Sequence, residues 1–426
     1  MSFIRTLVAI AAASVCASSF AAPAASRIAV SAGASAIQGN LRTALQLLCT
    51  DAGGVQTTFE SGNFTTVVCA NAALTSATYA SKPDAEFVNL AGLPFAEVRV
   101  NVSAGSFGNI QILNGVNFTF RDPATNSNIA APAGSVVVGG ANDVEPTAFP
   151  SQVIGTNVLY PSTGVGVAQV FGVAASSALY TALFDAQKAA GLLPATCNVT
   201  DTGLSYCVPS IGKAQMASIM ADNSFNAAYL KGLGFLTGLA ADEGVELRYV
   251  RRVDTSGTQA SAQNYFLGLP CSKAPVSVVP EPTSDDEAGG LKDALLNAIR
   301  VMAAPGTGDV RTELNKAGIY ALGVMSGENN QTGQNWRWLR LNGASIGENA
   351  VPGTAGNTNS STTRSGAYDF YFETTYSGGN ATGNGFWSVV SGRLNTLPAP
   401  VGLINATDLG AGFAKGGLTC QASVSN

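Results

Sequence analysis

Several times along this chain a short apolar, strand-like run ends in small residues and a helix-like run follows. RIAVSA (27–32) leads through Gly33-Ala34-Ser35 to IQGNLRTALQLLC, and AEVRVNVSA (96–104) leads through Gly105-Ser106-Phe107-Gly108 to NIQILNG. GVELRYVRRVD (244–254) leads through Ser256-Gly257-Thr258 to a run containing AQNYF. AQVFGVAAS (168–176) precedes the amphipathic SALYTALFDAQKAAGLL, SVVVGG (135–140) reads as a further strand, and GLKDALLNAIRVMAA (290–304) reads as a helix. This alternation restricts the chain to an α/β architecture, since each period buries its apolar side against the other. At 426 residues and roughly 150 residues per domain, two or three domains are expected.

Serine, glycine and threonine at strand ends, directly before helices, point to an anion. A helix start leaves about four backbone N–H groups without internal partners, and its dipole favours negative charge. Gly257 permits close approach of backbone to a ligand, and Arg252 adds a planar fork matched to tetrahedral oxyanions. The same residues also cap helices for structural reasons alone, so each unit by itself is equally an ordinary loop.

Other features narrow the function. The chain has no histidine, which rules out Ser-His-Asp and Cys-His catalysis and imidazole metal sites. No carboxylates or lysines pair at a catalytic spacing, and the expectation is a binding protein without a cofactor rather than an enzyme. A net charge of −5 offers no basic field for nucleic acid.

MSFIRTLVAIAAASVCASSFAAPA begins the chain with Arg5, an apolar stretch and small residues at Ser19 and Ala21, the pattern of a secretory leader over residues 1–21. Ala13-Ser14-Val15 before Cys16 is a poor lipobox. Beyond the leader no apolar run reaches membrane-spanning length. Cys49, Cys69, Cys197, Cys207, Cys271 and Cys420 remain, an even set that suggests disulfides in an exported chain. Nearness in sequence favours Cys49–Cys69 and Cys197–Cys207, leaving Cys271 with Cys420.

Arg252-Val253-Asp254-Thr255-Ser256-Gly257-Thr258, flanked by RYV and AQNYFL, resembles the R-x-D-x-S-G-T segment of the periplasmic phosphate-binding proteins of bacterial ABC importers, in the type 2 binding-protein superfamily. SAGASAIQ (31–38), GGANDVEPTAF (139–149) and GIYALGVMS (318–326) resemble further segments of that family in the same order. Ala36 stands where the family carries an aromatic, and Asn142 where it carries a serine. The resemblance implies a two-lobed α/β fold with two crossover strands and the ligand in the cleft between lobes. Residues 22–165 and 335–426 would form the first lobe and 166–334 the second, with an ABC permease as partner.

Carried over, the resemblance implies anion contacts from Ser35, from Ser103 or preferably Ser106, and from Arg252, Ser256, Gly257 and Thr258. Asp143 would accept a proton from the ligand, which favours inorganic phosphate over sulfate, because an ionised carboxylate can only accept. A second reading keeps the fold in a secreted surface or matrix protein that binds a partner. The Gly/Asn/Ser-rich stretches 342–368 and 377–385 read as surface turns, 278–290 as an acidic solvated linker, and Trp336 and Trp338 as strand residues packed in a core.

Overall fold

The computed structural model describes residues 23–221, 246–270, 278–284, 291–296, 299–347, 361–397, 402–405 and 408–409. The leader at 1–21, Cys271 and Cys420 lie outside the described residues.

The first half is built on β1 (Ile28–Ala32), β2 (Val55–Ser61), β3 (Phe64–Ala70) and β4 (Glu97–Asn101). After the hairpin of β5 (Thr119–Asp122) and β6 (Ser127–Ala130), β7 (Val136–Val137) completes a sheet of order β2-β3-β4-β1-β7. β1 runs parallel to β4 and to β7 and is buried along its whole length, as expected of a central parallel strand. Helix Gln38–Asp51 turns Leu41, Ala44, Leu45 and Leu48 inward, one stripe at helical spacing, and each buried leucine contributes roughly 2 kcal/mol. Cys49 at its end is bonded to Cys69 on β3, and a second disulfide joins Cys197 to Cys207.

The second half holds a nine-stranded sheet. Its strands are β8 (Gly140–Asn142), β9 (Thr163–Ser176), β11 (Leu247–Arg252), β12 (Lys292–Leu296), β13 (Ile299–Ala304), β14 (Tyr320–Ser326), β15 (Trp336–Trp338), β17 (Tyr371–Ser377) and β18 (Leu403–Asn405). The main path runs β12-β13-β11-β14-β9-β17-β8, with β15 and β18 also paired to β9. Between them β10 (Ser210–Ile211) and β16 (Arg340–Leu341) form a short parallel pair. Trp336 and Trp338 are both in the core, edge to face at 5.2 Å between centroids.

β9 and β17 belong to both halves. Val165 and Val167 of β9 pack with Leu41, Val98 and Trp387, whereas Val170 to Ala175 pack with Tyr249, Val301 and Leu322. On β17, Tyr376 joins the first core and Tyr371 and Phe372 the second. The α/β fold therefore has two cores bridged by two antiparallel strands.

The structure overturns the helix expected over 290–304, which is a β-hairpin instead, with β12 antiparallel to β13 and β13 parallel to β11. The Leu, Ala and Met of this run are good helix formers, but Val301 to Ala304 are all buried, and a strand covered on both faces shows no alternation to reveal it. Arg300 donates to Asp293 at 2.5 Å diagonally across the hairpin. Stretch 377–385 is likewise not only a surface turn: Asn380 caps helix Ala381–Leu394 by accepting from the Gly383 N–H at 2.9 Å.

Candidate anion-binding site

Parallel strands β4 and β11 each end where a helix begins, Phe107–Leu113 after β4 and Gly257–Leu267 after β11. The two connecting loops, one from each half, meet. Gly105 has φ +59°, and a Cβ built on it would stand 3.7 Å from Ser256 Cα. That conformation favours glycine, and the approach is an ordinary van der Waals contact between the two loops.

Ser106 and Asp143 lie side by side beneath this contact. The Ser106 hydroxyl accepts the Asp143 backbone N–H at 2.9 Å. A Cβ on Gly257 would come within 2.2 Å of Ser106 Oγ and 2.9 Å of Asp143 Oδ2, so the second half reaches the pair through bare backbone. Ser103 is instead exposed and bonded to Asn101 Oδ1 at 2.6 Å.

Asp143 is 5% exposed, and its Oδ1 has no hydrogen-bond partner among the described residues. Burial first, and then the negative charge of Glu328, push its carboxyl up to about 7, against the opposing pull of Arg252 and Ser106. Arg252 is buried too; burial lowers it to about 10 while the charges of Asp143, Asp309 and Glu328 hold it up. Its guanidinium donates to the carbonyls of Ala304 at 3.2 Å and Pro305 at 2.8 Å and to Thr307 Oγ1 at 2.9 Å. Of the five N–H groups on a guanidinium these bonds take three. Arg251 points to the other face of β11, donating to Val279 O at 2.6 Å and pairing with Asp254 beside a separate cavity of about 830 Å³.

Ser256 and Thr258 are buried at the start of the second helix, and the Ser256 hydroxyl makes no capping bond. Ser35 stands apart. It is exposed on the wall of a solvent-facing cavity of about 600 Å³, whose other lining includes Gln38, Arg42, Glu60 and Glu328. Its loop is nonetheless tied to the Asp143 segment, since the Ala34 N–H donates to Ala141 O at 2.8 Å. Thus Ser106, Asp143, Gly257 and the Ser256 backbone converge, Arg252 acts on Asp143 through its charge, and Ser35 faces the adjoining cavity.

No family profile matches the chain, and no curated protein does. Among solved structures it is similar to a putative phosphate ABC transporter substrate-binding protein with bound phosphate from Clostridium perfringens, at 10% identity and TM-score 0.39, covering 85% of this chain and 92% of that one. It is also similar to PstS from Borrelia burgdorferi, at 10% identity and TM-score 0.32 with the same coverage.

Glu328 is the residue that sequence reasoning missed. It follows β14 by two positions and accepts from Ser326 Oγ at 2.5 Å and from Gln169 Nε2, on β9, at 3.2 Å. Protein atoms crowd its carboxyl and push its pKa upward, but the residue is exposed to cleft water, which limits that rise. Asn109 was missed as well, and Asn142 was noted only as standing where the resembled family carries a serine. A Cβ on Gly140 would face the Asn109 Cβ at 3.3 Å, and Asn142, two residues along the same strand, shares that face. Both amides and Thr375 Oγ1, opposite Asn142, are buried without a partner among the described residues, a polar layer suited to internal water. No cluster of metal ligands occurs among the described residues.

Proposed function

We propose that this is an exported solute-binding protein, not an enzyme, that takes inorganic phosphate between its two halves. The observation that carries the reading is the Asp143 carboxylate, buried with Oδ1 unpartnered beside Ser106 and Gly257 and under the charge of Arg252. The helix start at Ser256-Gly257-Thr258 supplies N–H donors, and Ser35 contributes from the wall of the adjoining cavity. An ionised Asp143 accepts the proton that phosphate retains near neutral pH and repels sulfate, which has none.

Lobes of 22–165 with 335–426, and of 166–334, would close on the ligand by a hinge, with delivery to an ABC permease. The two disulfides fit folding in an oxidising compartment, as does a leader at 1–21. One observation favours the second reading, a partner-binding protein that has reused the fold: protein carbonyls and Thr307 already occupy three N–H groups of Arg252. Calorimetric titration of the refolded, anion-free protein separates the two. Phosphate binding without sulfate binding supports the importer role; no heat from either anion, with the fold intact, sinks it.

A further inference from the structure

We infer that the cleft takes a phosphate monoester carrying an ammonium group, with Glu328 receiving the cation. This rests on the phosphate reading above and extends it to the rest of the ligand.

Three observations lead there. The cavity between Ser35 and Glu328 measures about 600 Å³, within the roughly 300–1,000 Å³ typical of sites for small organic molecules. Ser106, Asp143 and Gly257 are not part of its lining, so inorganic phosphate held by them would leave this space unfilled.

The charges of that cavity do not balance. Arg42 is spent on Glu60, with Nη1 at 2.8 Å from both carboxylate oxygens. Glu328 makes no close ion pair among the described residues; its charge is felt at Asp143 and Arg252, and the more distant Arg252 charge in turn favours its ionised form. An additional anionic group on the ligand would meet repulsion here. A cation would be held.

Glu328 is also set in place rather than trailing into solvent. Ser326 and Gln169 both donate to it, and a Cβ on Gly402 would lie 2.2 Å from the Glu328 backbone nitrogen, so its loop is wedged against neighbouring chain. A carboxylate fixed on one wall, facing the Ser35 loop and the start of helix Gln38–Asp51 on the other, matches a ligand with a phosphoryl group at one end and an amine a short linker away. The hydrogen bonds hold the Glu328 carboxylate at one place on the wall, and a charge held in place is a basis for selectivity.

The test compares inorganic phosphate, ethyl phosphate and 2-aminoethyl phosphate by calorimetry on the full-length protein and on E328Q and E328D. The expected result is a preference of tenfold or more for the amino ester over ethyl phosphate, the scale of one charge-assisted contact. E328Q should erase that preference and tighten both ligands that lack an amine, since a negative charge has left the cleft; E328D should keep it. Equal affinity for the two esters, a preference that survives in E328Q, or binding of inorganic phosphate with neither ester would overturn the inference while leaving the phosphate reading standing. No heat from any of the three probes would remove the phosphate reading itself and this inference with it.

Discussion

Ser106 and Asp143 are separated by 37 residues in sequence and joined by one buried hydrogen bond, in which the Ser106 hydroxyl accepts the Asp143 backbone N–H at 2.9 Å. Among the described residues, Oδ1 of the Asp143 carboxylate accepts from nothing. A buried acceptor without a donor is costly, and a ligand that brings its own proton relieves it.

Replacing Asp143 with Asn tests that directly. An amide can donate as well as accept, so D143N should bind sulfate better relative to phosphate. Sites that require a ligand hydroxyl reject analogues lacking it by about 10⁴ to 10⁵, and the phosphate-to-sulfate affinity ratio should fall by at least about tenfold in the variant. An unchanged ratio in competition calorimetry would remove proton sensing from Asp143.

The same carboxyl makes stability depend on pH. Its folded value of about 7 lies above the ordinary aspartate value of 3.8, so the folded protein holds this proton more tightly than the unfolded chain does. The stabilisation is complete below about 4 and disappears as pH rises to about 7 and beyond. For a group this deeply buried the difference is on the order of 4 kcal/mol at most. Urea melts of the anion-free protein between pH 4 and 8 should show this decline, and D143N should flatten it; parallel curves for parent and variant would contradict the account.

Gly257 is where one half touches the other through bare backbone. G257A would drive a methyl against Ser106 Oγ at 2.2 Å, an overpacking worth about 1–3 kcal/mol, and should abolish tight phosphate binding. S106A alone strands the buried Asp143 N–H at a cost of about 1–3 kcal/mol. Because S106A also removes the clashing atom, the double variant should lose less stability than the sum of the two singles. Strict additivity in chemical denaturation would place the two residues out of contact.

The Cys49–Cys69 bond closes a loop with a sequence separation of 20. Chain-entropy arguments give such a loop about 3 kcal/mol, so C49S/C69S should lower the midpoint of unfolding while leaving the anion site assembled. Phosphate affinity and denaturation midpoint, measured on one preparation, check both halves of the statement.

The parts of this fold that the sequence displays are those where local and tertiary demands agree. RIAVSA, AEVRVNVSA and AQVFGVAAS fall within or across β1, β4 and β9, and polar residues of QGNLRTALQ alternate with Leu41, Leu45 and Leu48 along the first helix. Residues 290–304 were misread because β13 sits between β12 and β11, where burial on both faces erases the strand's period. Ser106, Asp143 and Gly257 could be singled out because strand ends and helix starts are marked by small and polar residues. Glu328 could not. It belongs to no helix start, and its importance comes from strands that are distant in sequence, through Gln169 on β9 and the charge it places near Asp143.

β9 and β17 send side chains into both cores, and the consequence reaches past ligand closure. Neither half owns a complete interior: cut away one, and Val165, Val167 and Tyr376, or Val170, Phe171 and Tyr371, are left facing water. The molecule should melt in a single transition and resist expression as separate fragments, and its slowest-exchanging amides should belong to the very strands about which it opens.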